Sequence, residues 1–407
     1  MANATIDIKK IIDDHPPGFS LQQKFYVEQE IYQREISSIF MEHWIFAGHR
    51  SQLTKPGDFF VVNFDTESVI ITLNKDNKVN ALLNVCRHRG SKLCLEEKGN
   101  NNNFACPYHA WCYDLNGELI AARNMPDDFN KAENGLHKVH LEQIGGLLFI
   151  NMAEKPPSLA GFKQDLLPDL QQLGFETMKL AAHKSYDIPA NWKLAVENYQ
   201  ECYHCAPSHQ EFAQIHAMAM QPKRYADLKA RYVSSENTVR TQASDFYFDL
   251  AKPGEEVYQY DRNPLLPNKW TGSRDGQPIA PLLGDLKQYT GGCSELMLGP
   301  VNFFLIYDDH MLGYRFLPKS LNECVCDVFW FVHQDAEVGQ DYQLDQLTWL
   351  WDVTTQADKA IIYYNQQGVM SRFYQPGRLS TMEAFEQHFI NWYLSKLKGA
   401  CQSDQHQ

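Results

Sequence analysis

The chain has no apolar run long enough to cross a bilayer. Its longest, around Gly145–Met152, is far short of the roughly 20 residues that a spanning helix needs. The opening residues, MANATIDIKK, lack the apolar core of a secretory signal, so a cytoplasmic location is expected. Basic residues are in deficit, 37 Lys and Arg against 50 Asp and Glu, for a formal charge of −13. That argues against nucleic acid and against an anionic membrane surface as partners. Internal repeats and low-complexity stretches are also lacking. What remains is ordinary globular composition, 44% hydrophobic and 21% charged over 407 residues, enough for two domains with proper cores.

Ten cysteines would imply disulfides in a secreted chain, whereas in a cytoplasmic one free thiols or metal ligands are expected. Cys94, Cys112, Cys202, Cys205, Cys293, Cys324, Cys326 and Cys401 read as reduced fillers. Cys324 and Cys326 lie in an alternating run, CVCDVFWFV, and so share one face of a strand. Cys86 and Cys106 stand apart, because each comes with a histidine: Cys86-x-His88 and Cys106-x-x-His109, separated by seventeen residues. Zinc ribbons use Cys-x2-Cys pairs, and zinc fingers put both Cys before both His. One Cys and one His in each half suits two parallel loops that each offer a ligand to each iron of a [2Fe–2S] cluster. Neutral imidazoles leave such a cluster less negative than four thiolates would and raise its potential, making it an electron relay. Gly90 and Pro107 suit tight loops that aim backbone N–H groups at sulfur.

Residues 21–44 read as a helix. From 58 to 150 the pattern changes to short β runs, DFFVVNF, SVIITL, KVNALLNV and GGLLFINM, with a turn at Asn74–Lys78. A boundary follows at Lys155-Pro156-Pro157. Beyond it, helices are expected over 191–205, 340–368 and 381–397, and strands over 300–308, 311–317 and 324–334. Ser380-x-x-Glu383 is a capping box, and the tail from Gly399 is expected to fray.

A second cluster lies in NWKLAVENYQECYHCAPSHQEF. On a helix Glu201 and His204 face the same way. His209 follows Pro207, so a helix end and a loop could bring two imidazoles to one ion. Two His and one carboxylate form the facial triad of Fe(II) oxygenases, with open positions for oxygen and substrate. On a helix further on, Asp341, Asp345, Asp352 and Asp358 are all candidates for the carboxylate, and spacing alone does not choose.

CRHRG and CPYHAW, with Tyr113 and the turn Asn116-Gly117, resemble the Rieske domain of the Rieske non-haem iron oxygenases. The second segment resembles that family's mononuclear iron motif, and FYVEQEIYQREISSIFMEHWIFAGH and YQPGRLSTMEAFEQHFINWY extend the likeness over nearly the whole chain. The resemblance implies an α+β fold: a helical segment over 1–43 packing on the catalytic domain, an antiparallel β Rieske [2Fe–2S] domain over 44–155, and a catalytic domain of antiparallel sheet and helices, of helix-grip type, over 156–407. It implies Cys86, His88, Cys106 and His109 as cluster ligands and His204, His209 and Asp358 as ligands of one Fe(II). Asp358 is singled out by QADKAIIYYNQQG, although Ala357 stands where relatives often have an acidic residue. It also implies an α3-type homotrimer, with Glu201 bridging His204 to His109 of the partner subunit, and a separate reductase carrying NAD(P)H and flavin.

Glu at the bridge, in the form ENYQECYHC, resembles the carnitine monooxygenase and glycine betaine demethylase branch. A small quaternary or tertiary amine, oxidised with O2, is therefore the expected substrate. Aromatic faces would hold such a cation, the candidates being Tyr199, Tyr203, Phe303, Phe304, Tyr307, Tyr314, Phe316 and Trp330. The alternatives are a dioxygenase acting on an aromatic acid and a Rieske electron carrier without oxygenase activity.

Overall fold

The computed structural model describes residues 6–235, 239–243 and 252–403. The chain divides into two compact units: Ile45–Pro156, and a larger one built from Met1–Trp44 together with Pro157–Gln407. Among the described residues no helix is long and apolar enough to cross a membrane.

The smaller unit is all antiparallel β. Its strands are β1 (Ile45–His49), β2 (Asp58–Phe64), β3 (Glu67–Leu73), β4 (Val79–Leu83), β5 (Lys98–Asn100), β6 (Phe104–Ala105), β7 (Cys112–Tyr113), β8 (Leu119–Ala121), β9 (His140–Ile144) and β10 (Leu147–Asn151). They form three sheets, β4-β3-β2-β5, β1-β10-β9 and β6-β7-β8. The expected turn is present: Asn74 Oδ1 accepts from the backbone N–H of Asp76 at 3.0 Å and of Lys78 at 2.8 Å, and Asn77 takes the left-handed φ of +61° that asparagine tolerates.

The larger unit is centred on a six-stranded antiparallel sheet, ordered β11-β16-β15-β14-β13-β12. Its strands are β11 (Met178–Ile188), β12 (Tyr258–Pro264), β13 (Gly292–Leu298), β14 (Asn302–Ile306), β15 (Met311–Ser320) and β16 (Glu323–His333). Cys324 and Cys326 are buried on β16, as the alternation predicts.

The amino-terminal segment folds as short helical pieces, Lys24–Val27, Gln29–Glu35 and a wide turn at Ile36–Phe40, rather than one helix over 21–44. A buried cluster holds it to the larger unit. Glu35 accepts from Lys193 Nζ at 2.7 Å, Trp192 Nε1 at 2.8 Å and Tyr393 Oη at 2.5 Å. Three donors satisfy a carboxylate that burial would otherwise leave costly.

The same region fixes the two helices that matter for the site. Asn191 caps the helix Trp192–Tyr199 by accepting from Lys193 N at 3.1 Å. Its own N–H donates to Gln366 Oε1 at 2.7 Å. Gln366 lies on the 26-residue helix Leu344–Val369, eight residues after Asp358. That bond therefore sets the register of one helix against the other.

At the carboxyl end, Ser380 Oγ accepts from Met382 N at 3.2 Å and Glu383 reaches back to Ser380 N, so the capping box forms ahead of the helix Ala384–Ser403. The helix continues through Ser403, past the Gly399 where fraying was expected. The residues after 403 lie outside those described.

Candidate active site

Two sites lie in the chain, one in each unit. In the smaller unit the Cys86 and Cys106 loops are the same turn twice. The N–H of Gly90 donates to Cys86 O at 2.9 Å, and that of Ala110 to Cys106 O at 3.0 Å. Cys86 N donates to Ser91 O at 2.9 Å, and Cys106 N to Trp111 O at 2.7 Å. The fifth residue of each turn is left-handed, Gly90 at φ +76° and Ala110 at +58°. Nothing lies within 4 Å of a Cβ built on Gly90, so glycine is there for its backbone and not for space. Ala110 takes the same conformation against its preference, at about 1 kcal/mol. Ala110→Gly should therefore be neutral or stabilising by up to about 1 kcal/mol in chemical denaturation, instead of costing the usual 0.5–1 kcal/mol.

The loops hold their side chains asymmetrically. Cys86 and Cys106 are buried, while His88 and His109 are exposed, with ring centroids 4.6 Å apart. His88 stacks on Trp111 at 4.8 Å. Tyr113 Oη lies 3.3 Å from Cys86 Sγ and accepts from Arg87 N at 3.1 Å. With that lone pair used, its proton is free for the sulfur. Burial opposes ionisation of Cys106, but the N–H groups of Tyr108 and His109 and the side chains of Cys86 and Ser91 outweigh it and hold the thiol below its usual range. Two inward sulfurs and two outward imidazoles fit the donor set of a mixed-ligand [2Fe–2S] cluster.

In the larger unit, the helix that was expected to reach residue 205 ends at Tyr199, so Glu201 and His204 do not share a helix face. The cause is Glu201 itself. Its Oε2 accepts from Tyr203 N, and from His204 N at 3.1 Å, in place of the helical carbonyls those donors would otherwise use. The other carboxylate oxygen meets His204 Nδ1 at 2.5 Å. The chain turns into two single-turn helices, Cys205–Ser208 and Gln210–Ala213, with His209 at the junction. Pro207 is tolerated because the first-turn N–H groups are unpaired anyway.

This loop corrects the reading of Cys202 and Cys205 as reduced fillers. Breaking the helix brings their Cα atoms to 4.9 Å and they are joined in a disulfide, a spacing within the usual range. The other cysteines are free.

Asp358 Oδ1 lies 3.3 Å from His204 Nε2 and 3.2 Å from His209 Nε2, so three donor atoms converge on one point. The sulfur of Cys205 is also near both imidazoles, but it is committed to Cys202. Asp352 points elsewhere: it pairs with Lys184 and accepts from Tyr186 Oη at 2.7 Å. Burial alone would lower the His204 imidazole, yet hydrogen bonds to Asp358 and Glu201 push it up to about 9. The same imidazoles hold Asp358 below its ordinary value against its burial. Carboxylates on both sides of an imidazole make a place that favours positive charge. The donor set, two imidazoles and one carboxylate, is that of a mononuclear Fe(II) site with open positions.

The three donors open into a cavity of about 290 Å³, small for a ligand site. Of the expected aromatics, Tyr199, Tyr307 and Tyr314 line it. Tyr203 is 56% exposed, and Phe303, Phe304, Phe316 and Trp330 pack in the core. Sequence reasoning missed Phe212, Tyr225, Trp351 and Glu295, which also line it. Trp351 was findable, since it precedes Asp358 by seven residues, two turns on the same helix face. Glu295 carried no local signal.

Residues 175–399 match the family described as ring hydroxylating alpha subunit (catalytic domain), and residues 43–139 the Rieske [2Fe-2S] domain. The chain is 32% identical over 393 residues to the glycine betaine monooxygenase oxygenase subunit of Pseudomonas aeruginosa PAO1, covering 94% of this chain and 90% of that protein. Among solved structures it resembles a quaternary ammonium Rieske monooxygenase, with a TM-score of 0.69 at 23% identity over 97% of this chain and 98% of the other. It resembles naphthalene 1,2-dioxygenase from Rhodococcus equally in fold, with a TM-score of 0.69 at 16% identity over 96% and 97% of the two chains. The fold thus serves both amine and arene chemistry and does not choose between them. With a two-iron relay domain joined to a catalytic domain, this chain belongs to the Rieske oxygenase alpha-subunit family and is an oxygenase rather than a lone electron carrier.

Proposed function

We propose that this chain is the terminal oxygenase of a multi-component system that hydroxylates an N-methyl group of a small quaternary or tertiary amine. The observation that carries the reading is its near-full-length likeness, at 32% identity, to a glycine betaine monooxygenase oxygenase subunit. A small cavity walled by tyrosines supports it, since aromatic faces attract methylated ammonium groups. Among the described residues the lining contains neither Lys nor Arg, so no such side-chain cation there repels a substrate ammonium.

In this reading Cys86, His88, Cys106 and His109 hold the [2Fe–2S] cluster, and His204, His209 and Asp358 hold Fe(II). When bound, these centres supply single-electron relay and the activation of O2. The residues do the rest. The Glu201 carboxylate fixes the tautomer and orientation of His204 by accepting from Nδ1. In an α3 assembly the same carboxylate would bridge to His109 of the partner subunit. The cavity orients the substrate and excludes bulk water. Hydroxylation of the N-methyl carbon gives a carbinolamine, which collapses to the demethylated amine and formaldehyde. A separate NAD(P)H-dependent flavin reductase supplies the electrons, and a cytoplasmic location fits that supply.

The test is turnover with a surrogate reductase, NADH, O2 and two substrate panels. Methylated amines should couple NADH use to formaldehyde, from protein holding about three irons per chain, two in the cluster and one mononuclear. Diols or phenols from aromatic acids, with no response to any methylated amine, would give the function to ring hydroxylation.

A further inference from the structure

Glu295 sits in mid-strand on β13, opposite Asp261 of β12 and Leu305 of β14. β13 is flanked on both sides, and the strand neighbours Ser294 and Leu296 are buried. Glu295 nonetheless keeps partial exposure, and the surface it faces is the cavity. An acidic side chain pointing from a covered strand into a mostly apolar cavity is a costly placement.

Its surroundings do not neutralise it. Lys229, on the helix Pro222–Val233, is the nearby cation. That ammonium meets Asp261 Oδ1 at 2.6 Å and Oδ2 at 2.5 Å, and Asn263 Oδ1 at 2.7 Å. Its three protons are thereby used. When Glu295 is ionised, these two carboxylates and one ammonium carry a net charge of about −1. His216, which also lines the cavity, adds no positive charge: burial pushes its imidazole down to about 4. Tyr199, Tyr225 and Tyr307 line the same cavity as Glu295, and their phenols are raised first by burial, with Glu295 among the groups that add to the rise. Cys293, also lining the cavity, is held as the neutral thiol by burial and the same carboxylate.

We propose that Glu295 is the counter-charge that selects a cationic substrate: with the rings of Tyr199, Tyr225 and Tyr307 it forms the ammonium subsite of the cavity. This rests on the amine reading above and adds the residue that would enforce it. Burial pushes the Glu295 carboxyl up to about 7, Asp261 adding to the rise while Asn263 and Lys229 oppose it. A bound ammonium favours the ionised form, so affinity for the cation should fall as pH drops below about 7. The placement also costs stability. A carboxyl raised in the folded state destabilises the fold at pH values above its unfolded value. Glu295→Gln should therefore melt no lower than wild type at pH 8.

The experiment compares binding of matched pairs to the iron-loaded enzyme by calorimetry. The pairs are glycine betaine with 3,3-dimethylbutanoate, and choline with 3,3-dimethylbutan-1-ol, each differing only by N⁺ against C. Wild type should favour the ammonium member. Glu295→Gln should cut that preference by roughly tenfold to a hundredfold, the range for losing a charged partner, and abolish its pH dependence. Glu295→Asp, which keeps the charge, should restore much of it. A purely structural role would weaken both members of a pair alike and leave the preference intact. If wild type favours the ammonium compounds and Glu295→Gln keeps the preference, the role given to Glu295 is wrong while the amine reading stands. If wild type shows no preference in either pair, the amine reading falls and this inference falls with it.

Discussion

Asp358→Ala is expected to remove the mononuclear iron and all turnover while leaving the [2Fe–2S] cluster at full occupancy. Oδ1 of Asp358 is the third corner of a triangle whose other corners, His204 Nε2 and His209 Nε2, lie 3.3 and 3.2 Å away. Without it, two neutral imidazoles face a dication with no anionic ligand. The fall in iron affinity should exceed the roughly 10- to 100-fold that follows loss of an outer-shell partner. Asp352→Ala is the control on the same helix. Its carboxylate is used by Lys184 and Tyr186, so that variant should keep both metal centres and lose a half-exposed ion pair, worth about 1 kcal/mol or less, and the hydrogen bond of the buried Tyr186 hydroxyl, worth about 1 kcal/mol. Metal analysis with the EPR signal of the reduced cluster separates the two. An iron-deficient Asp352→Ala would move the third ligand.

Glu201→Gln should keep both centres and lose electron transfer between them. The Gln carbonyl can still accept from the N–H groups of Tyr203 and His204, so the turn that presents His204 survives. What disappears is the negative charge against His204 Nδ1, 2.5 Å from the carboxylate. A carboxylate behind a ligating imidazole is worth about 10- to 100-fold in affinity or activity. If Glu201 also bridges to His109 of the partner subunit, the loss in single-turnover electron transfer should reach the upper end of that range or pass it. Single-turnover kinetics on pre-reduced protein measure it. A rate near wild type would remove Glu201 from the electron path between the centres.

Much of this was legible in the sequence where partners are close along the chain. The Cys-x-His and Cys-x-x-His pairs each occupy one turn, so spacing alone specified their loops. The alternating run around Cys324 and Cys326 and the Ser380–Glu383 box are local patterns, and local hydrogen bonding or pleating decides them. The helix expected over 191–205 was misjudged because hydrophobic periodicity does not register a side chain competing for backbone donors. Glu201 does so, and it ends the helix at Tyr199. The disulfide follows from the same break.

The sequence by itself pointed to Cys86, His88, Cys106 and His109 as candidate cluster ligands and to His204 and His209 as candidate iron ligands, and it identified the family and its α+β fold class. The resemblance had singled out Asp358, but spacing left four aspartates open, and only the tertiary structure shows which of them meets the two imidazoles, which aromatics face the cavity and that Glu295 does. Asp358 lies 149 residues beyond His209, among other aspartates that periodicity treats alike. It lies six positions after Asp352, which at about 100° per residue turns it about 120° away around the helix. The bond from Asn191 to Gln366 then fixes which of those faces meets the histidines. Glu295 joins the site only because the sheet brings β13 against the cavity. Such choices depend on packing between distant segments, and no local pattern in the chain encodes them.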